Sequence, residues 1–186
     1  MVRNCSSVLV LTSGGIDSTA CINYYRNLGF NVEGFFVDYG QKARLKESEC
    51  VEKISAFYKI KYKTLTILKP SKVPSGEIAG RNGFLIMAAM LTEPDFTGIL
   101  SLGIHAGVPY YDCSKSFANK MSVLVSEYSD GRLKLDFPFI TWDKKMIFSY
   151  CKDMEVPIHL TYSCENGDEP CGRCQSCLDR SALNVI

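Results

Sequence analysis

The chain alternates strand-like and helix-like segments joined by short links, and this alternation restricts the fold more than any other feature. Apolar or alternating runs predict strands at 8–11, 32–37, 62–68, 98–102 and 133–137. Helical spacing of apolar residues predicts helices at 17–28, 45–58, 81–91, 117–128 and 143–154, the last with Asp143 as its N-cap. Such a succession folds as a parallel sheet with helices on both faces. We therefore predict a doubly wound α/β fold.

The link after the first strand carries the first chemical signal. Ser13-Gly14-Gly15-Ile16-Asp17-Ser18 lies between a predicted strand and a predicted helix. Glycine lets the backbone approach a ligand closely, and free amides at a helix start attract phosphate. Ser13 and Ser18 add hydroxyl donors, whereas the anionic Asp17 suits capping of the loop or contact with a nucleotide-bound Mg²⁺. The spacing is neither that of a Walker A loop nor that of the dinucleotide fingerprint.

A second signal lies towards the end of the chain, where four cysteines have metal-ligand spacing. Cys164, Cys171, Cys174 and Cys177 form Cys-x6-Cys-x2-Cys-x2-Cys. Four thiolates complete a tetrahedral Zn²⁺ shell at about 2.3 Å and leave no position for water or substrate, so we predict a structural zinc site. An iron–sulfur cluster uses the same ligands and stays an alternative, as do reactive thiols and a zinc ribbon that reads nucleic acid. The rest of the tail from residue 163 onward is predicted to be irregular.

Composition narrows the class of protein. The chain has 186 residues, which suits one domain, and nine cysteines, an odd number. Met1 leads directly into a strand-like segment, and no apolar run reaches the ~18 residues of a membrane span, so we expect a cytoplasmic protein with reduced thiols. Cys5, Cys21, Cys50 and Cys151 are therefore predicted to be packing residues. A net charge of +1 argues against a duplex nucleic-acid partner.

Further motifs resemble the QueC family, whose members are ATP pyrophosphatases with a PP-loop. The loop at residues 13–18 resembles the PP-loop itself. The other matches are Asp38-Tyr39-Gly40-Gln41, Gly80-Arg81-Asn82, Asp112-Cys113, Lys144 and the cysteine-containing ending at 170–180. The resemblance covers nearly the whole chain. It implies an adenine nucleotide alpha-hydrolase-like fold, with a PP-loop ATP-binding α/β domain at 1–160 and a zinc-binding segment at 161–186 packed on the same domain.

The resemblance also implies a reaction and a homodimer. QueC enzymes activate the carboxylate of 7-carboxy-7-deazaguanine with ATP and add ammonia, which gives an amide first and, after a second round, the nitrile. The implied contacts for ATP and Mg²⁺ are Ser13, Gly14, Gly15, Asp17, Ser18, Asp38 and Gln41. The implied catalytic residues are Asp17, Arg81, Asp112 and Lys144. The implied contacts for the deazapurine are Arg81, Asn82, Gly103, His105, Asp112 and Cys113.

The chain departs from the family pattern around the expected substrate pocket. The segment 68–79 is shorter than the usual insertion, and the loop 103–109 lacks the usual acidic and polar groups and has His105 where asparagine is usual. Ser114 and Lys115 stand where an arginine is expected. We therefore expect adenylate and amide products to exceed the nitrile. Because QueC-like proteins also occur in anti-phage operons, joining of the activated deazaguanine to a protein amine is a second hypothesis. RNA thiolation and nucleotide binding without turnover are two more.

Five residues keep two interpretations each. Asp112 contacts a guanine-like edge or caps the helix that follows it. Cys113 is catalytic or a thiol of the pocket wall, and His105 is a proton shuttle or a hydrogen-bonded loop residue. Lys144 holds phosphate or is a solvated surface lysine. Arg81 clamps phosphate or carboxylate, or makes a surface ion pair.

Overall fold

The computed structural model describes residues 6–67 and 77–182. Its strands are β1 (Ser7–Leu11), β2 (Asn31–Asp38), β3 (Tyr62–Thr66), β4 (Gly98–Leu102) and β5 (Leu133–Asp136). They form a single sheet in the order β3-β2-β1-β4-β5, in which every neighbouring pair is parallel. The predicted parallel sheet is confirmed. The third strand ends at Thr66, before the predicted limit, because its partner β2 ends at Asp38 opposite that residue; residue 68 and most of the shortened segment 68–79 lie outside the described residues.

Six α-helices are described around this sheet. They are α1 (Ile16–Asn27), α2 (Arg44–Tyr58), α3 (Arg81–Thr92), α4 (Lys115–Tyr128), α5 (Lys144–Asp153) and α6 (Gln175–Ala182). Asp143 caps α5 as predicted, since its carboxylate accepts a hydrogen bond of 2.8 Å from the Met146 amide. The prediction of an irregular tail is wrong for α6. That helix is only eight residues long and has a single buried residue, Cys177, so no apolar periodicity reveals it.

The two faces of the sheet are covered by different helices. Val8 and Val10 of β1 belong to one buried cluster with residues of α1, α2 and α5. Leu9 and Leu11 point the other way, into a cluster with residues of α3 and α4. This alternation is the two-residue period of a strand that is buried on both faces. The packing prediction for the cysteines is confirmed at Cys21, Cys50 and Cys151, which are buried; Cys5 lies outside the described residues.

The order of the strands places a crevice in the middle of the sheet. The chain runs from β1 outward to β2 and β3, and then returns to the other side of β1 with β4 and β5. At such a switch point the loops after the two central strands turn away from each other and leave a crevice at their carboxyl ends. Here the central strands are β1 and β4. No helix in the described part is both long and apolar enough to cross a bilayer.

Two glycines allow close packing at this crevice. Gly14 has a φ of +72°, and a Cβ there would lie 2.8 Å from Cys50 Cβ and from the Glu47 carbonyl oxygen in α2. A Cβ on Gly103, directly after β4, would lie 2.7 Å from the carbonyl oxygen of Asp17. Both distances are far below contact distance, so any side chain would push the loops apart. The two loops at the switch point can therefore pack closely against α1 and α2 because Gly14 and Gly103 have no side chains.

Candidate active site

A cleft of about 800 Å³ opens at the switch point. Its walls are the loop after β1, the loop after β4, the starts of α3 and α5, and the residues that surround the four cysteines. The charged side chains along it include Asp17, Glu47, Arg81, Lys144 and Arg180. This position agrees with the general location of ligand sites in doubly wound sheets.

The loop between β1 and α1 is ordered by its own hydroxyl groups. The Ser13 amide donates to Ser18 Oγ at 3.2 Å, and Ser18 Oγ donates to the Gly15 carbonyl at 3.1 Å. Gly15 is the N-cap of α1, but no side chain caps this helix. The first residues of α1 line the cleft. Their amides, together with the positive end of the helix dipole, are therefore available to an anion such as phosphate.

Asp17 and Lys144 form an ion pair at the mouth of this loop. Lys144 Nζ lies 2.6 Å and 2.7 Å from the two carboxylate oxygens of Asp17. The side chain of Lys144 is 24% exposed, so the interpretation of a solvated surface lysine is wrong. Asp17 lies inside α1, whose N-cap is Gly15, and its two predicted roles, capping of the loop and contact with Mg²⁺, stay predictions. The pair places one cation and one carboxylate, from residues 127 positions apart, next to the phosphate loop.

His105 lies beside the same pair. Its Nδ1 is 2.7 Å from the carbonyl oxygen of Ala106, which requires Nδ1 to carry the proton. The other ring nitrogen, Nε2, lies 3.9 Å from an Asp17 carboxylate oxygen. The ring is thus oriented by the backbone with Nε2 directed at Asp17. Its two interpretations, proton shuttle and hydrogen-bonded loop residue, are both compatible with this geometry.

A second group of polar side chains occupies the wall formed by α2 and α3. Gln41 Nε2 donates to Glu47 at 2.7 Å and to the Val37 carbonyl at 3.2 Å, and its Oε1 accepts from the Tyr39 amide at 2.9 Å. The side chain of Gln41 is thereby occupied by structural bonds, although it lines the cleft. Burial raises the pKa of Glu47, an effect that Gln41 and Arg81 oppose. Arg81 makes no ion pair within the described chain, so the interpretation of a surface ion pair is wrong.

Asp112 stands behind the wall of the cleft and not on it. Its carboxylate accepts a hydrogen bond of 3.1 Å from the Asn82 amide in the first turn of α3, and the Asn82 side chain donates to its carbonyl oxygen. Ser114 caps α4 instead, by accepting from the Phe117 amide at 3.1 Å. The interpretation that Asp112 caps the following helix is therefore wrong: it caps α3, which is distant in the sequence.

Three other predicted residues occupy different positions relative to the cleft. Asp38 does not line the cleft. Its carboxylate accepts a hydrogen bond from the Gly40 amide at 3.0 Å and pairs with Arg44 at 3.4 Å. Asn82 and Cys113 both line the cleft. Burial and the neighbouring Asp112 raise the pKa of the Cys113 thiol to about 11, so it is protonated at neutral pH.

The four cysteines come together in space. The sulfur atoms of Cys164, Cys171, Cys174 and Cys177 all lie within 4.8 Å of one another. The amides of Asn166 and Cys171 donate to Cys164 Sγ at 3.5 Å and 3.4 Å. Hydrogen bonds from Asn166 and from backbone amides lower the pKa of Cys171 to about 5. Four convergent sulfurs, of which those of Cys164 and Cys171 accept amide hydrogen bonds, fit a tetrahedral thiolate site for a metal ion.

The segment with the cysteines also forms part of the cleft, which sequence reasoning missed. The Tyr162 amide donates to the Gly14 carbonyl at 2.9 Å and ties this segment to the phosphate loop. Arg180 donates to Thr161 Oγ1 at 2.8 Å and to Ser163 Oγ at 3.5 Å. Glu47 of α2 was missed as well. No local spacing in the sequence indicates that these residues face a ligand.

The fold and the cleft define a PP-loop-type α/β protein, and solved structures support that class. The U34-tRNA thiolase NcsA from Methanococcus maripaludis, solved with its [4Fe-4S] cluster, has a TM-score of 0.56 at 17% identity, over 98% of this chain and 65% of that one. A 4-thiouridine synthetase in complex with RNA and ATP has a TM-score of 0.60 at 19% identity, over 96% of this chain and half of that one. At these identities the likeness concerns the fold alone.

Sequence comparison identifies the family within that class. The model of the family described as "Queuosine biosynthesis protein QueC" matches residues 7–74 and 67–184. The chain therefore belongs to the QueC family, as its motifs predicted. The 7-cyano-7-deazaguanine synthase of Campylobacter jejuni is 28% identical over 92% of this chain and 90% of its own length. The synthases of Sulfurimonas denitrificans and Prochlorococcus marinus are 27% and 28% identical, over 95% and 94% of this chain and 91% and 92% of their own lengths.

Proposed function

We propose that the protein uses ATP to adenylate the carboxylate of 7-carboxy-7-deazaguanine and then forms the amide with ammonia. The observation that carries the proposal is the cleft itself. It joins an anion-binding helix start with Asp17, Lys144 and Arg81 at the switch point, in a chain whose relatives are 7-cyano-7-deazaguanine synthases. A carboxylate is a poor electrophile because its charge repels a nucleophile. Transfer of AMP to it supplies a good leaving group.

The residues of the cleft divide between the two substrates. The loop at 13–18 would hold the phosphates of ATP, with Ser13 and Ser18 arranging its amides. The carboxylate of Asp17 would hold Mg²⁺, which neutralises phosphate charge when bound. Lys144 and Arg81 would stabilise the negative charge that develops during adenylation. Asn82, Gly103, His105 and Cys113 remain proposed contacts of the deazapurine, and Asp112 would act on it only through Asn82.

The cysteine site is proposed to hold a structural zinc ion. The ligands would be the four thiolates, which fill the shell and leave no position for a reactant. Because the same segment carries Tyr162 and Arg180 into the cleft, the ion would act on catalysis by keeping that wall in place. The proposed ion would contribute folding energy and no chemistry of its own.

Joining of the activated acid to a protein amine is the second candidate. It is supported by the loop after β4, whose residues 103–110 line the cleft without the acidic groups usual in the family. In this alternative, an amine larger than ammonia would enter beside this loop. RNA thiolation is less well supported, because the pKa of Cys113, a cysteine on the cleft wall, is raised.

Product analysis tests the proposal and separates its rivals. Purified protein is incubated with ATP, ammonium and 7-carboxy-7-deazaguanine, and AMP, pyrophosphate and the deazaguanine products are measured by mass spectrometry. We expect AMP and pyrophosphate only when the acid is present, with adenylate and amide in excess of the nitrile. AMP without the acid, or no turnover, would contradict the proposal. Rapid conversion to the nitrile would show that the altered loop is neutral.

A further inference from the structure

Arg180 is a cation of the cleft to which the proposed reaction assigns no role. It lies on α6, three residues after the buried Cys177, and its side chain lines the same cleft as the phosphate loop. Residues three apart on a helix share a face. The cysteine that anchors α6 in the metal site therefore also sets the position of this arginine.

Two close contacts place the guanidinium group of Arg180 near the phosphate loop. Arg180 bonds to Ser163 Oγ. A Cβ on Gly15, the N-cap of α1, would lie 3.5 Å from the Tyr162 carbonyl oxygen and 4.0 Å from Ser163 Oγ. The backbone between Tyr162 and Ser163 is thus in contact with the phosphate loop. The hydroxyl group of Ser163 lies between this loop and the guanidinium group of Arg180. Thr161 holds the other side, since its hydroxyl accepts from Arg180 at 2.8 Å and donates to Ile158 O at 2.6 Å.

The charge of Arg180 has no carboxylate partner among residues 6–67 and 77–182. The ion pairs of that part of the chain involve other residues, including Lys144 with Asp17 in the same cleft. Its two described acceptors are neutral hydroxyl groups. A half-buried guanidinium whose acceptors are neutral keeps most of its five donors and its full charge for an anion.

We infer that Arg180 is a binding residue for the pyrophosphate end of ATP. The inference rests on the proposed function for the identity of the nucleotide. The planar fork of an arginine matches two oxygens of a terminal phosphoryl group, and the neighbouring loop supplies the amides that such a group needs. The segment that contains the four cysteines would therefore supply a cation that binds ATP, in addition to the proposed metal ligands.

Binding measurements on Arg180 variants test this inference. Dissociation constants for ATP, AMP and inorganic pyrophosphate are measured by titration calorimetry on wild type, Arg180→Gln and Arg180→Lys. Loss of a charge-assisted contact is expected to weaken ATP and pyrophosphate about tenfold or more in Arg180→Gln. The lysine variant keeps the charge without the fork and should fall between wild type and Arg180→Gln. AMP, which lacks the pyrophosphate end, should bind as in wild type.

Arg173→Gln is the matched control, because Arg173 is an exposed arginine of the same segment that does not line the cleft. It removes the same charge and should leave all three constants unchanged. Metal content and circular dichroism verify that each variant is folded. If Arg180→Gln does not fold, the binding constants of Arg180→Lys, compared with those of wild type, test the inference. Equal weakening of ATP and AMP, or unchanged ATP binding, would overturn the inference. Failure of wild type to bind ATP would overturn it together with the proposed function, whereas ATP binding without turnover of the deazaguanine acid would overturn the proposed function alone.

Discussion

At the scale of single residues, the pairing of Asp17 with Lys144 has the clearest consequence. The carboxylate lies in the first turn of α1, where a phosphate group would be held, and a lysine from the start of α5 neutralises it. A negative group at a phosphate site repels its ligand unless a cation accompanies it. We interpret the pair as the arrangement that allows the carboxylate of Asp17 to lie beside the phosphates of a nucleotide.

Asp17→Asn is therefore expected to remove activity without removing the fold. The change keeps the shape of the side chain and deletes the charge proposed to hold Mg²⁺. AMP formation with ATP and the deazaguanine acid should fall by about a hundredfold or more, the range seen when one electrostatic group of an active site is lost. Asp153→Asn, on the exposed end of α5, is the control. AMP formation at the wild-type rate in the Asp17 variant would contradict the role given to it.

Cys113 is expected to be a slow nucleophile. Burial and the adjacent Asp112 raise the pKa of its thiol from 9.0 to about 11. The reactive thiolate is therefore scarce below pH 9, by about a hundredfold relative to an unperturbed cysteine, and its fraction rises as the pH approaches 11. Alkylation by iodoacetamide, mapped to Cys113 by peptide mass spectrometry between pH 7 and 10, checks this. Fast modification at pH 7 would restore the thiol as a candidate catalyst.

At the scale of elements, a polar network joins α1 to strands β4 and β5. Tyr25 of α1 donates to the Asp136 carboxylate at 2.6 Å and accepts from Ser101 of β4 at 3.1 Å. Ser101 Oγ also lies 3.3 Å from Cys21 Sγ. These contacts bridge strands β4 and β5 to the helix that carries the phosphate loop, so they help to fix the loop relative to the sheet.

Tyr25→Phe should destabilise the protein through this network. Removing the hydroxyl leaves the Asp136 carboxylate without its tyrosine donor, which costs about 1–3 kcal/mol of unfolding free energy. Urea unfolding followed by circular dichroism measures the change. Tyr128→Phe removes a hydroxyl from a side chain that is 71% exposed and should change the unfolding free energy by no more than about 0.5 kcal/mol. Equal stability of the two variants would show that the network contributes nothing.

The cysteine-containing segment at 161–182 is the second element for which we expect a measurable loss of stability when its metal site is disrupted. Cys164 and Cys177 are buried in the same cluster as α1, α2 and α5, so the proposed metal links the tail to the core. We expect one zinc ion per chain by mass spectrometry of metals, and a lower folding yield and melting temperature for Cys174→Ser. Iron with acid-labile sulfide in the purified protein would contradict the zinc assignment and favour a cluster.

At the scale of the whole molecule, the resemblance to the QueC family predicts self-association of the protein. We expect a homodimer in solution, as the resemblance to the family implies. Large apolar side chains are exposed on α3 and α4, among them Leu91 at 82% and Val123 at 59%, and a second copy would cover such groups by burying apolar area. Light scattering at working concentration measures the mass. A monomer mass would contradict the prediction.

Much of the fold follows from local patterns in the chain. Strand β1 is a continuous apolar run and the helices repeat their apolar residues at helical spacing, so element types and the parallel sheet are predictable. The same holds for the phosphate loop and the four cysteines, because their ligand atoms come from residues close in sequence. A short helix with a single buried residue, such as α6, has no hydrophobic period and is not predictable from local pattern.

The sequence by itself determined the class of fold, the family, the phosphate loop and the metal ligands, since each depends on residues separated by a few positions. Tertiary structure alone decided which distant side chains share the cleft. It placed Lys144 on Asp17, turned Asp112 to the start of α3, and brought Arg180 next to the phosphate loop. These contacts join residues 30 to 127 positions apart or arise from how the tail packs on the loop. No periodic pattern in the sequence predicts these contacts, because they depend on how the helices pack on the sheet and not on residue spacing within one element.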